Sequence, residues 1–131
     1  MAEPLFHMVC VPAALADAEA WASELLQDGD LALLPDASGL DGIDAIAHAL
    51  GQRTIAVVRT EPDDERQDET VITHAGALPL VWLGPDFSPR VRAWARDRGP
   101  MTLLVEVDGA LPDAERRRID RFVGLLGRQA E

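Results

Sequence analysis

Apolar residues come along this chain in blocks of two kinds, and the two kinds alternate. Residues 5–11, 31–34, 54–58, 80–83 and 101–107 are short runs of mostly apolar and β-branched residues with little polar alternation, the pattern of strands buried on both faces. Between them the apolar positions recur at three- and four-residue steps. Leu15, Ala18, Trp21, Ala22 and Leu25 predict a first helix, with Gly29 as its left-handed stop. Ile43, Ile46, Ala47 and Leu50 predict a second, closed by Gly51. Ser88 as N-cap and Pro89 in the first turn open another helix around Val91, Trp94 and Ala95, which Gly99 and Pro100 end. Pro112 opens the last, with Ile119, Phe122, Val123 and Leu126 on one face.

One stretch resists this scheme. Residues 61–69, EPDDERQDE, are too polar for a core and read as a solvated loop or as the exposed first turns of a helix, which Pro62 followed by acids favours. Residues 71–77 either complete that helix or pair as a hairpin strand, and so short a segment holds too few repeats to choose.

Strands that alternate with helices, joined by connections long enough for crossovers, predict right-handed βαβ units. The fold class is therefore α/β: a three-layer sandwich with a mostly parallel five-stranded sheet, flavodoxin-like or Rossmann-like. With 131 residues the chain suits one core better than two, so residues 1–131 are expected to form a single domain. The apolar fraction of 47% and charged fraction of 27% are those of ordinary globular chains.

Charge and composition narrow the partners. A net charge of −11 repels a phosphate backbone, and no basic stripe interleaved with aromatics offsets it, so neither nucleic acid nor an anionic membrane is an expected partner. No apolar run approaches the roughly 18–20 residues that span a bilayer. Acidic Glu3 precedes the first apolar run, without the basic n-region of a secretory signal, and the single Cys10 can form no internal disulfide; both lead to the expectation of a cytoplasmic location. All 12 basic residues are Arg, and Lys, Asn and Tyr are absent, which reads as the codon bias of a GC-rich genome, as in a high-GC bacterium.

In open parallel sheets a ligand sits beyond the carboxyl ends of the strands, where strand order reverses. The residues placed there are Cys10 and Pro12; Asp36, Ala37, Ser38 and Gly39; Thr60 and Glu61; Gly84, Pro85 and Asp86; and Asp108 and Gly109. Carboxylates at 36, 61, 86 and 108 suit a hard cation such as Mg²⁺, sugar hydroxyls or amines, and equally serve as turn and cap residues. The loop PDASGLDG, residues 35–42, lets backbone approach a ligand at a helix start, so Asp36, Ser38, Gly39, Asp41, Gly42, Gly84 and Asp86 are the candidate ligand-binding residues. Asp36, Asp41 and Asp44 would repel a phosphate there, and neither a Walker-type loop nor GxGxxG is present. Cys10 reads as an inert core thiol rather than a nucleophile. His7, His48 and His74 lack metal-ligand spacing, and no metal site is expected. Arg116, Arg117, Arg118 and Arg121 make a local basic patch for an acidic partner or for pairing with Asp113, Glu115 and Asp120.

Residues 30–60, with a strand ending in Asp, a Gly-containing loop opening a helix and a Leu-Gly pair closing it, resemble the middle of nucleoside 2-deoxyribosyltransferase-like proteins. The resemblance implies a Rossmann-like relative with N-glycosidic chemistry on a nucleoside or sugar. That family's nucleophilic Glu stands eight residues before the closing Gly, which here is Ile43, with Asp44 one step away and about 100° around the helix. A relative that has lost or moved its chemistry is what the departure implies.

Two functions follow. The first is a non-catalytic Rossmann-like module acting through contacts, as a protein-interaction or assembly subunit or a small-molecule sensing domain, with a protein partner or a second copy of itself. The second is an enzyme acting on a nucleoside or sugar through Asp36, Asp44 and Glu61, or a Mg²⁺-dependent carboxylate site.

Overall fold

Each apolar run in the sequence contributes a strand, and the turns between are set by proline, glycine and capping side chains. The computed structural model describes residues 4–37, 39–51 and 55–130. Its strands are β1 (Phe6–Cys10), β2 (Gly29–Leu33), β3 (Ala56–Val57), β4 (Leu80–Gly84) and β5 (Thr102–Glu106). Its helices are α1 (Glu19–Leu25), α2 (Gly39–Ala49), α3 (Asp64–Ala75), α4 (Pro89–Arg98) and α5 (Asp113–Ala130). Every pairing is parallel, in the order β3-β2-β1-β4-β5. That order is Rossmann-like; a flavodoxin-like sheet would insert its third strand beside the first.

The pleat sorts β1 into two cores. Phe6, Met8 and Cys10 point to one face and pack with Leu31, Leu33, Val81, Leu83 and Val105 beneath Ala22 of α1, Ile43 and Ile46 of α2, and Ile119 and Leu126 of α5. Val9 points to the other and packs with Ala32, Leu80 and Trp82 beneath Val71 and Ala75 of α3 and Val91 of α4. Helices α1, α2 and α5 thus cover one side and α3 and α4 the other, giving the three layers expected. No helix among the described residues is long and apolar enough to cross a membrane.

Three details depart from the sequence reading. The first helical stripe is broken: Pro12–Leu15 wind as a 3-10 turn, Asp17 adopts φ 61°, and α1 starts only at Glu19. Asp is one of the few side chains that tolerates this left-handed conformation, so the break falls there. Gly29 is no helix stop but the first residue of β2, and it lies outside the positive-φ glycines. Glycine is required because a Cβ would stand 2.5 Å from the Phe6 ring. β3 is only two residues long, both exposed, and Thr54, read as its first residue, lies outside the described residues.

The polar stretch resolves as helix. Asp63 caps α3 by accepting from the Arg66 N–H, and Asp64 and Glu65 complement the dipole of the first turn. Val71 and Ala75, four residues apart, supply the buried stripe. Ser88 caps α4 as read, accepting from the Val91 N–H at 3.2 Å, while its hydroxyl donates to Asp68 of α3. Burial pushes the Asp68 carboxyl up, and the Ser88 hydrogen bond opposes that.

Candidate functional site

The strand order reverses between β1 and β4, so a ligand crevice is expected beyond Cys10 and Gly84. The chain draws its own loops together there. Leu111, buried in the loop after β5, donates its N–H to the Ala14 carbonyl at 3.1 Å, joining that loop to the 3-10 turn after β1. Gly84 accepts from the Val107 N–H at 2.8 Å. Cys10 is fully buried, and desolvation pushes its thiol up to about 12, far from a thiolate at neutral pH.

The sequence-selected residues are distributed around this edge rather than pooled. Asp36 turns toward the first turn after β1, its Oδ2 accepting from the Ala13 N–H at a long 3.4 Å. Gly39 opens α2 with φ 61° and donates to the Asp36 carbonyl at 3.0 Å. Gly42 is half-buried in α2, while Asp41 and Asp44 are exposed on it. Ser38 lies outside the described residues. Asp86 accepts from the Phe87 N–H at 2.8 Å and stands 3.9 Å from Arg92. Phe87 packs edge-on to Trp82, at 5.3 Å between centroids. Asp108 is exposed.

Glu61 faces the other way, toward α3. It accepts from Arg59 Nε at 2.6 Å and from the Thr70 hydroxyl at 2.9 Å, and those contacts, Arg59 first, hold its carboxyl below the usual range. Gln67 ties the same loop down, its amide donating to the Arg59 carbonyl and its oxygen accepting from the Glu61 N–H. Arg59, Glu61 and Thr70, with Arg66, Glu69 and Thr73, line a groove of about 370 Å³ between the loop after β3 and α3. Asp36 and Glu61 follow neighbouring strands, yet their carboxylates address different elements. Among the described residues no three His, Cys, Asp or Glu side chains are grouped to hold a metal ion.

At the opposite end of the sheet lies a smaller cavity of about 190 Å³, lined by His7, Asp30, Ala56 and His74. The two imidazoles stand 5.0 Å apart, and buried His7 Nδ1 has no hydrogen-bond partner. Desolvation and then the neighbouring His74 lower the His7 pKa, with Asp30 opposing.

A wider concavity runs along the outer edge of β5. It measures about 550 Å³ and is lined by Arg92, Ala95, Arg96 and Gly99 from the α4 side, Thr102, Leu103 and Leu104 of β5 itself, and Arg118 of α5. Arg92 pairs with Glu106, and Arg118 with Glu115 at 3.2 Å. On α5, Leu125 is 54% exposed, one heptad beyond Arg118 on the same stripe. Arg116 pairs with Asp113 at 2.6 Å, and Asp120 accepts from Trp21 Nε1 at 2.9 Å.

Sequence reading singled out Arg118 within the basic run but missed Arg92, Arg96, Leu103 and Leu104. The available signal was charge distribution: residues 90–128 hold 9 of the 12 arginines against 6 acids, so this segment is net positive within a chain of net charge −11. The topology then folds that segment into one side, α4, β5 and α5. Comparison with family models, curated proteins and solved structures returns no match.

Proposed function

We propose that this chain is a protein-binding Rossmann-like module that engages its partner through the side formed by α4, β5 and α5. The observation that carries it is the groove beside β5, where arginines from two helices flank half-exposed Leu103 and Leu104. Arginine beside apolar surface is the composition of interface cores, because its planar guanidinium pairs with carboxylates and its stem packs. On a chain this acidic, a locally basic side orients an approaching acidic partner and disfavours other faces.

The test is site-specific crosslinking in the native cells. A photoreactive residue replacing Arg96 should yield a defined adduct, identified by mass spectrometry, that one replacing Arg66 of α3 does not. Equal yields at both positions, or an adduct only at 66, would refute the assignment.

The competing reading is N-glycosidic chemistry on a nucleoside, supported by the resemblance over residues 30–60. Release of free base from nucleosides by the wild-type protein, abolished in Asp44→Ala or Asp36→Ala, would displace our proposal.

A further inference from the structure

Resting on that assignment, we infer that the partner binds by adding an acidic, extended segment as a sixth strand along β5. The edge is built for it in three ways. First, β5 pairs with β4 residue for residue from Thr102 to Glu106, with no bulge and no proline inside the strand. Proteins that guard an edge insert one or the other, or shorten it as β3 is shortened here to two residues. Second, the Val107 N–H points at Gly84 of β4, and lateral direction alternates along a strand, so the peptide groups of Thr102, Leu104 and Glu106 face outward. No strand pairs with that side among the described residues.

Third, the lips of the groove come from opposite faces of the sheet. Arg92 and Arg96 belong to α4 on one face, and Arg118 to α5 on the other. A strand laid between them presents successive side chains alternately to the two faces. Carboxylates on both faces of such a strand would therefore meet arginines on both, with Leu103 and Leu104 beside its apolar residues. A second copy of this chain fits worse, since pairing two β5 edges about a twofold axis sets arginine lips against arginine lips. The mode is β-augmentation, with main-chain hydrogen bonds for affinity and side-chain alternation for specificity.

The probe is the blocked peptide TEVEEVET, which places glutamates on both faces, compared with TEPEEPET, whose prolines cannot continue a ladder, and with the basic TKVKKVKT. Titration should show saturable, salt-sensitive binding of the first and at least tenfold weaker binding of the other two. The exposed double variant Arg96→Glu, Arg118→Glu should lose at least tenfold. Amide exchange at Leu104 and Glu106, measured by NMR, should slow in the complex. That last readout needs no variant and so does not depend on one folding. If the two acidic peptides bind alike and both are weakened by the arginine reversals, strand addition is wrong while the basic interface stands. If neither binds, strand addition is again wrong, and the crosslinking at position 96 separately decides the interface. Dimerisation of the free protein through β5, or binding of an oligothymidylate that the same reversals abolish, would overturn the acidic-segment assignment.

Discussion

Gly29→Ala isolates a single steric contact that the packing makes obligatory. Gly29 is level with Phe6 in the β1–β2 register, and a Cβ built on it would lie 2.5, 2.6 and 2.8 Å from three atoms of the Phe6 ring. Carbon atoms rest at about 3.5–4.0 Å, so the ring or the strand would have to retreat by about 1 Å. Phe6 is wholly buried in the core beneath α1 and has no solvent to move into. Overpacking of this kind costs about 1–3 kcal/mol, against which the lower unfolded-state entropy of Ala returns about 0.5–1 kcal/mol. A net loss of about 1–2 kcal/mol is expected, with a Tm lower by roughly 4–8 °C. Urea denaturation should show a reduced midpoint with an unchanged slope. Gly84→Ala is the internal control, because its nearest foreign atom, in Phe87, would be 3.7 Å away, an ordinary contact. Combining Gly29→Ala with Phe6→Leu should recover stability beyond additivity by about 0.5 kcal/mol or more. A Gly29→Ala protein within 0.5 kcal/mol of wild type, or strict additivity with Phe6→Leu, would refute the steric account.

Other expected outcomes follow from single contacts elsewhere in the fold. Arg98 donates to the Leu78 carbonyl at 2.6 Å and to Thr102 Oγ1 at 3.0 Å while its guanidinium lies 4.8 Å from the Trp94 ring, and burial lowers its pKa. Arg98→Ala should cost about 2–3 kcal/mol in chemical denaturation, and Arg98→Lys should restore only part of it, since the ammonium cannot reach both acceptors from a stacked plane. Cys10 should resist iodoacetamide in the native protein at pH 8 and react stoichiometrically in denaturant; alkylation of the folded protein at the unfolded rate would contradict its burial. Burial, and then the neighbouring His74, hold the His7 pKa below the ordinary imidazole value of about 6.5, so the unfolded chain binds the proton first. That contribution is fully present above pH 6.5 and is lost as pH falls through the depressed folded value. His7→Gln should flatten the pH dependence of Tm in that window, and an unchanged slope would count against it.

The layers were legible because each rests on local chemistry. Ser88 and Pro89 announced α4 through a hydroxyl acceptor and a preset φ, and the continuous apolar character of residues 80–83 announced a strand covered on both sides, as β4 is. Strand order was not legible, because nothing local to β3 says that it pairs with β2 rather than β4. Gly29 was misread for a related reason. Its glycine answers to Phe6, 23 positions earlier, and only the register of two strands reveals that. The carboxylates after the strands were found in sequence, but their directions depend on partners such as Thr70 and Ala13 that no spacing rule connects to them. The basic side escaped notice because its arginines are interleaved with acids along the chain, and those of α4 and α5 come to flank one groove only once β5 is placed between the two helices.

The two margins of this sheet are unequal, a five-residue border at one end and a two-residue stub at the other. Growth by edge pairing needs a donor border and an acceptor border on every molecule if it is to run on into a fibre. A chain that offers one usable border can be lengthened once and then stops, so recruitment there yields a finite complex at a fixed stoichiometry and leaves no free end to propagate.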